Sequence, residues 1–430
     1  MIKIINIVKL FGRFDYDIAT KDGGITIITG PNGFGKSTIL QIIDALSHGN
    51  VAFFIKLDFK RICVTYDNER KTNIEKGKKT LRIDDLQLSL SDEMLFESLQ
   101  HVQRRPWIQK VANGYYDHRT DEFYTEDELF YRFLDNDRLF SIRSSKNLDI
   151  SKALKEKLSS IRLWCGEVRV ISDQRLIRKR MKPSDDAQVI DVISELPQKL
   201  KSEISRVSEE YSRVANTLDS SYPKRLFAAK EGIKGQEEYE ICLREANDKF
   251  AKLSRYNLVD MSIIDEESYN QAYSTALKIY FDDFAAKYTV FQDLIQKLDL
   301  FTQIINARLT FKHISISRDG GFSVVDDDNP KKVLNLSQLS SGEKQEIVLF
   351  YDLIFSNTKD ELLLLIDEPE ISLHISWQKK FLDDLLEVAK HSNIQVIVAT
   401  HSPQIVSNHM DIQIDLGELY GKKLDKREPN

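Results

Sequence analysis

The sequence predicts an α/β fold in which a sheet-based core is interrupted by a long helical insertion. A glycine-rich segment, GPNGFGKST at residues 30–38, follows the apolar run Ile25–Thr29 and precedes an apolar-periodic stretch, which is a strand–turn–helix pattern. Apolar runs at residues 362–366 and 394–399 have the length and composition of buried parallel strands. Between the glycine-rich segment and these runs, residues 187–309 carry apolar side chains at gaps of three and four, which is typical of packed helices.

The chain divides into three predicted parts. Residues 1–186 hold the first part of the core, including a predicted antiparallel β lobe, because three strand-like runs with short connections precede the glycine-rich segment. Residues 187–309 form a coiled-coil-like insertion, and residues 310–430 complete the core. Within the insertion, Pro197 predicts a helix start or kink, and residues 220–223 predict a break.

Two readings of the insertion stay open. The helices fold back into an antiparallel hairpin or small bundle, or they are ordinary helices packed on the main body.

In the first part of the core, residues 53–66 read as a strand because they are rich in β-branched and aromatic residues.

Composition and charge narrow the function classes. A hydrophobic content of 41% and a charged content of 30% are those of a folded protein. The net charge of −6 argues against wholesale coating of nucleic acid, although the basic run at residues 175–182 leaves local contact with nucleic acid open. The three cysteines make no metal pattern and fit a reducing compartment. No signal-like segment begins the sequence and the apolar runs are too short to span a bilayer, so we expect a cytoplasmic protein without a membrane contact.

The glycine-rich segment predicts a phosphate-binding loop. Its glycines allow the backbone to curl so that N–H groups point at phosphate oxygens, and the helix that follows adds a positive field. Lys36 would reach the β- and γ-phosphates, and the hydroxyl of Ser37 would ligate Mg²⁺. The predicted nucleotide-binding set in this segment is Gly30, Asn32, Gly33, Gly35, Lys36, Ser37 and Thr38. We therefore expect a nucleoside triphosphate and Mg²⁺ as ligands, and Phe11, Phe14 or Tyr16 could stack on the base.

The second half of the predicted site lies near the end of the sequence. LSSGEKQ at residues 339–345 begins an apolar-periodic helix, which Ser340 or Ser341 would cap, and a helix N-terminus of this kind can bind an anion. One apolar run ends in Asp367 and Glu368, and the next is followed by His401. Mg²⁺ would balance the Asp367 carboxylate, Glu368 could orient an attacking water, and His401 could contact the γ-phosphate.

The order of these motifs is similar to that of the ABC-type ATPases, whose P-loop, signature, Walker B and switch-histidine motifs match residues 30–38, LSSGEKQ, IDEPE and ATHS. The resemblance implies an ATPase head in which ATP and Mg²⁺ are held by Lys36, Ser37 and Asp367. It also implies that Glu368 is the catalytic carboxylate and His401 the switch histidine. Ser341 and Gly342 would complete the site of a second subunit, so the resemblance implies a homodimer or a larger homo-oligomer. Gln174 fits the place of the family's Q-loop glutamine, which contacts nucleotide and metal.

Two departures from the transporter pattern point to a branch of the family. The interval between P-loop and signature is long, and the signature reads SSGEKQ where transporters have LSGGQ; both resemble the soluble SMC, RecF and OLD-type ATPases. The sequence segments DEPEISLHISWQKKFLDDLL and ATHSPQIV resemble those of the ATPase subunits of anti-phage PARIS systems, with Septu-type ATPases as near relatives.

The anti-phage resemblance implies an ATP-dependent sensor and scaffold that controls a separately encoded effector, such as a nuclease, and answers to a phage protein. We expect no appended Toprim nuclease, because few residues follow His401. The alternative is a DNA-repair or chromosome-handling ATPase that clamps DNA, and a third possibility is a module that binds ATP and barely hydrolyses it.

Overall fold

The computed structural model describes most of the chain. The described residues are 1–21, 24–78, 80–89, 108–111, 114–117, 122–124, 145–171, 177–181, 187–259, 269–330, 332–355, 362–373, 375–390 and 394–425. Gln174 and both ends of the basic run at residues 175–182 lie outside them. The chain forms two compact units, one made of Met1–Ile190 with Asn357–Asn430 and the other of Asp191–Ser356.

The first unit is built on a five-stranded parallel sheet. From edge to edge, with strands numbered along the chain, its members are β11 (Glu167–Ile171), β17 (Leu362–Asp367), β18 (Ile394–Ala399), β3 (Ile25–Thr29) and β19 (Gln413–Asp415). Strands β3 and β18 are buried along their whole length, as continuous apolar runs require when both faces of a parallel sheet are covered.

An antiparallel lobe accompanies this sheet in the same unit. Its six strands, in spatial order, are β2 (Phe14–Ala19), β1 (Ile2–Leu10), β4 (Arg61–Tyr66), β5 (Lys71–Lys76), β6 (Thr80–Ile83) and β7 (Leu86–Ser89). The buried amide of Gln395 ties the lobe to β18, because its Oε1 accepts from the Ile2 N–H at 3.1 Å and its Nε2 donates to the Ile2 carbonyl at 2.7 Å. The predicted antiparallel pairing is confirmed for β1 and β2 and is wrong for β3, which pairs only with parallel neighbours in the sheet.

The remaining elements of the first unit are helices and short strands. The helices are α1 (Lys36–His48), α2 (Val51–Lys56), α3 (Ser145–Cys165), α8 (Ile375–Lys390), α9 (Pro403–Val406) and α10 (Leu416–Asp425), with 3₁₀ turns at Pro369–Ser372 and Met410–Ile412. The short strands are β8 (Ile108–Val111), β9 (Gly114–Asp117), β10 (Glu122–Tyr124), β12 (Ile177–Met181) and β13 (Ala187–Asp191). Residues 53–66, read as one strand from the sequence, are split between α2 and β4, because the Asn50 side chain caps α2 by accepting from the Phe53 N–H at 2.7 Å.

The second unit combines long helices with a small sheet. Its elements are α4 (Val192–Ala228), α5 (Gln236–Arg255), α6 (Ser274–Asn306), α7 (Ser341–Phe355), β14 (Lys312–Ser317), β15 (Gly321–Asp326) and β16 (Val333–Leu334), with 3₁₀ turns at Gln271–Tyr273 and Leu336–Gln338. Helices α4 and α6 are antiparallel, since Tyr211 stacks near Phe291 while Asp219, further along α4, pairs with the earlier residue Lys287. The second unit therefore contains an antiparallel helix pair, and the same helices also pack on β15 and α7.

Helix α4 contradicts the break predicted at residues 220–223, and it begins before Pro197 and not at it, because it runs through both Pro197 and Pro223. A proline inside a helix costs about 3 kcal/mol. Around Pro197 the apolar side chains Ile193, Leu196 and Leu200 are fully buried, and each such burial contributes about 1.5–3 kcal/mol. Packing therefore outweighs the local preference.

The division by contacts differs from the sequence-based one at its second boundary. Residues 310–356, assigned to the core from the sequence, belong to the unit that holds the long helices. The reason is packing: β15 lies against α4, and Phe301 of α6 contacts Phe322 and Tyr351 at ring distances of 5.8 and 6.1 Å. Gly321 has a φ of +71°, and a side chain there would run into the Pro197 carbonyl.

In the part of the chain that the structure describes, no helix is both long and apolar enough to cross a membrane.

Candidate functional site

The glycine-rich segment forms an open loop between β3 and α1. Gly30, Gly33 and Gly35 have φ values of +145°, +82° and +88°, a region that side-chain-bearing residues rarely occupy, and Asn32 and Gly33 are exposed. Helix α1 begins at Lys36 and its apolar face is buried. The loop thus places backbone N–H groups and a helix N-terminus at one accessible surface, which suits phosphate.

Lys36 is the cation of this loop. Its side chain is buried, with 5% of the residue exposed, and its Nζ donates to the carbonyls of Gly30 at 2.9 Å and Pro31 at 3.3 Å. Burial lowers the pKa of Lys36, while the carboxylates of Glu368, Glu370 and others act in the opposite direction. A cation held among carbonyls and carboxylates at a phosphate loop is placed to receive an anion.

Ser37 and Asp367 provide oxygen ligands side by side. The Ser37 hydroxyl donates to Asp367 Oδ1 at 3.0 Å, which brings the start of α1 to the end of β17. A hydroxyl and a carboxylate are ligands that Mg²⁺ accepts, and this ion commonly completes its shell with water and phosphate oxygens. Among the described residues there is no group of three His, Cys, Asp or Glu that could hold a metal alone. Because Mg²⁺ bound with a nucleotide takes only one or two protein oxygens, the Ser37–Asp367 pair fits a metal that arrives with a nucleotide.

His401 connects the loop lysine to Glu368. Its Nδ1 lies 3.1 Å from Lys36 Nζ and its Nε2 lies 3.3 Å from Glu368 Oε1. Because an ammonium group only donates, Nδ1 must accept, so a neutral ring carries its proton on Nε2 and donates it to the carboxylate. Glu368 itself has a φ of +44°, and its N–H donates to the Ala399 carbonyl at 2.9 Å. The ends of β17 and β18 therefore meet directly opposite the loop.

The signature segment starts α7 in the second unit. The Ser340 N–H donates to Glu343 Oε2 at 2.9 Å and the Glu343 N–H donates to Ser340 Oγ at 3.3 Å, which is a capping box. Of the two capping candidates, Ser340 thus makes the cap, and Ser341 is left exposed beside Gly342. Lys312 of β14 also pairs with Glu343 at 3.0 Å. Burial alone would raise the pKa of Glu343, but the Lys312 ammonium and the bonds to Ser340 lower it.

The structure brings together Lys36, Ser37, Asp367, Glu368 and His401, all predicted from the sequence, in one unit. Ser341 and Gly342 belong to the other unit, and Gln174 lies outside the described residues. Of the three aromatic candidates for base stacking, Tyr16 is fully buried and Phe14 stacks on it at a ring distance of 5.7 Å, whereas Phe11 is 39% exposed beside Gly35.

Two polar residues near the site were not found from the sequence. Asp415 ends β19, accepts from the Thr29 hydroxyl at 3.3 Å, and accepts from the N–H groups of Gly417 and Glu418 at the start of α10. Glu370 follows Glu368 by two positions, and its Oε1 accepts from the His401 N–H at 2.6 Å. Asp415 had a readable signal, an acid at a strand end before a helix; Glu370 had none beyond its place in DEPE.

The phosphate loop, the Ser37–Asp367 pair and the strand-end Glu368 and His401 define a P-loop nucleotide-binding protein. Comparison with known families then gives a more specific class, because the profile of the family described as AAA ATPase domain matches residues 1–406. The chain belongs to this family.

Curated relatives match shorter stretches. The oligopeptide transport ATP-binding protein OppD of Lactococcus lactis subsp. cremoris is 35% identical over 85 residues, which cover 19% of this chain and 24% of OppD. The lipoprotein-releasing system ATP-binding protein LolD of Ehrlichia chaffeensis is 28% identical over 140 residues, which cover 32% of this chain and 58% of LolD. The chain thus spans between a quarter and somewhat over half of these relatives.

Among solved structures, one similar protein is an Smc head domain with an extended coiled coil, bound to the C-terminal domain of ScpA derived from Pyrococcus furiosus. It shares 13% sequence identity with this chain, has a TM-score of 0.37, and the alignment covers 99% of both chains.

Proposed function

We propose that this chain binds ATP with Mg²⁺ and hydrolyses it at a site that a second copy completes. The observation that carries the proposal is the chain of contacts from Lys36 through His401 to Glu368, with the Ser37–Asp367 pair beside it. These groups supply what phosphoryl transfer to water requires: a cation for the phosphates, ligands for the metal, and a carboxylate to orient water.

Binding of the nucleotide would rearrange the hydrogen bonds of Lys36. Its Nζ now has three neighbours, the carbonyls of Gly30 and Pro31 and the Nδ1 of His401. The β- and γ-phosphate oxygens are stronger acceptors for an ammonium group and would replace them. His401 could then contact the γ-phosphate and Glu368 would be released to orient the attacking water. Mg²⁺ held by Ser37 and Asp367 would neutralise charge on the phosphates. The exposed ring of Phe11 is the best placed of the aromatic candidates to stack on adenine.

The second copy would contribute the signature segment. Ser341 is exposed at the first turn of α7, and the capping box of Ser340 with Glu343 uses donors and acceptors on either side of it. A preformed, exposed helix start with a serine suits the γ-phosphate of a neighbouring subunit. We therefore propose a homodimer, or a larger homo-oligomer, whose assembly is linked to ATP binding.

The test compares two variants that damage different steps. Lys36→Ala should lose ATP binding, because the phosphate charge is no longer compensated. Glu368→Gln should bind ATP and turn it over about 10²–10⁴-fold more slowly, because only the orientation of water is impaired. The exposed Glu75→Gln serves as a matched control and should behave as wild type. Equal loss of ATP affinity in the Lys36 and Glu368 variants would contradict the assigned roles.

We also propose that hydrolysis acts as a switch in anti-phage defence, with this chain as the sensor and scaffold of a separately encoded effector. The resemblance of the motifs around Glu368 and His401 to anti-phage ATPases supports this role. The exposed apolar side chains of the second unit also support it. That unit exposes Phe227 and Ile241, by 90% and 54%, on the long helices α4 and α5, and Tyr273, by 61%, in the 3₁₀ turn before α6. None of these elements carries a phosphate-loop residue. Copurification of the chain with the product of its neighbouring gene, followed by mass measurement, tests the proposal. A stable complex is expected, whereas tight DNA binding with DNA-stimulated hydrolysis and no complex would favour the DNA-clamping alternative.

A further inference from the structure

We propose that Glu370 is a positioning residue that holds the His401 loop in place for hydrolysis. The inference rests on the proposed ATPase site and adds a residue to it. Glu370 lies in the 3₁₀ turn Pro369–Ser372, directly after the end of β17, while His401 follows the end of β18. The two strands are neighbours in the parallel sheet, so their ends meet at one edge.

The Glu370 carboxylate accepts hydrogen bonds from the backbone of the loop that carries His401. Glu370 Oε1 accepts from the His401 N–H at 2.6 Å and from the Ser402 N–H at 3.1 Å. Hydrogen bonds from N–H groups to an ionised carboxylate are about twice as strong as neutral ones. Two of them on consecutive residues restrict the peptide unit from which the His401 ring projects. The ring is thereby held where its two nitrogens reach Lys36 and Glu368.

A third residue closes the network. Gln378 of α8 donates from Nε2 to the carbonyls of Glu370 and Leu373 at 3.3 and 3.1 Å, and its Oε1 accepts from the Ser402 hydroxyl at 2.7 Å. Gln378 thus links helix α8 both to the turn that contains Glu370 and to the loop that carries His401. Positions fixed by several mutually supporting hydrogen bonds are suited to holding a reacting group.

The two carboxylate oxygens of Glu370 differ in their surroundings. Within the described part of the chain, the buried Oε2 atom has no hydrogen-bond partner. Leaving a buried polar atom unsatisfied is costly, and such a group in a folded protein calls for an explanation in function. The role of Oε1 in orienting the loop of His401 gives that explanation, because it fixes the position of the whole carboxylate and leaves Oε2 without a partner.

The experiment separates positioning from binding. In Glu370→Ala we expect kcat to fall about 10–100-fold, since the ring of His401 is no longer held in register. The Kd for ATP should change less than about twofold, because Lys36 and Ser37 are untouched. Glu370→Gln keeps an acceptor oxygen at the same place and should restore most of kcat. The exposed Glu75→Ala is the control.

A second readout does not depend on turnover. The His401 ring signal in ¹H–¹³C NMR of the nucleotide-free protein, assigned from its loss in His401→Gln, should shift in Glu370→Ala and stay in place in Glu75→Ala. Gln378→Leu should move the same signal, so the test stands even if Glu370→Ala does not fold. An unmoved His401 signal, or parallel losses of ATP affinity and kcat in folded Glu370→Ala, would overturn the positioning role. An inactive wild type would instead refute the proposed ATPase function, while the NMR shift would still test Glu370.

Discussion

At the scale of single residues, the side chains of the proposed site lie at or just after the ends of strands β17 and β18. The sequence predicts Asp367, Glu368 and His401 because each lies at or just after the end of a buried apolar run, in the motif order of the ABC-type ATPases. Their distances to Ser37 and Lys36 agree with that expectation. The role of Glu370 cannot be predicted from the sequence, because its partners are backbone N–H groups. Every residue except proline has such a group, and no sequence pattern marks the ones that Glu370 binds.

The Lys312–Glu343 pair makes a prediction about pH at the same scale. Both side chains are largely buried, and the pKa of Glu343 lies below its ordinary value of 4.5: burial would raise it, but Lys312 and Ser340 outweigh burial. A carboxyl whose pKa is lower in the folded state stabilises that state above its unfolded pKa. This stabilisation is lost as the pH falls from about 4.5 through the folded pKa.

Lys312→Met should therefore lower the free energy of unfolding by about 1 kcal/mol at pH 7. The gap between variant and wild type should narrow as the pH drops below 4.5, since Glu343 then takes up a proton in both proteins. Urea unfolding followed by circular dichroism at pH 7 and pH 3.5 measures it. Lys332→Met, at a pair whose lysine is 58% exposed, is the control and should have little effect. A gap that widens on acidification would refute the pairing.

At the scale of elements, predictions succeeded where period and packing agreed. The strands at residues 25–29 and 394–399 have the predicted limits, because a continuous apolar run between turn residues has few other places in a fold. The start of α7 was also predicted. The break expected at residues 220–223 was wrong, and α4 does not begin at Pro197, where buried side chains on either side outweigh a preference that acts only locally.

Pro197 therefore carries a cost that a substitution can remove. Pro197→Ala restores the N–H that the Ile193 carbonyl lacks, which is worth about 3 kcal/mol in a helix interior. The more flexible unfolded chain reduces the gain by up to about 1 kcal/mol. We expect a net stabilisation of about 2 kcal/mol, measured by chemical denaturation. Ser202→Ala, at an exposed position of the same helix, is the control. A destabilised Pro197→Ala would show that the ring itself is needed for packing.

At the scale of the whole molecule, the two halves of the predicted ATP site belong to different compact units. The phosphate loop lies in the unit with the parallel sheet, and the signature helix α7 lies in the unit with the long helices. The sequence did not reveal this division, because the segment after residue 310 reads as strands and a helix of the core. Its membership is decided by contacts of β15 with α4 and of α7 with α6, which involve residues far apart in the chain.

In the proposed assembly, the phosphate loop of one copy acts with the signature segment of another. Mixing two inactive variants tests it most directly. Lys36→Ala removes the loop cation and Ser341→Arg blocks the exposed start of α7. Each mixed dimer would contain one site with an intact loop facing an intact signature, and one site damaged twice.

We predict that ATP hydrolysis, absent in either variant alone, recovers on mixing and is greatest near equal amounts. Subunit exchange is verified with differently labelled proteins, and each variant mixed with itself is the control. Recovered hydrolysis in the exchanged mixture is the result that the composite site requires. No recovery at any ratio, with exchange demonstrated, would contradict it.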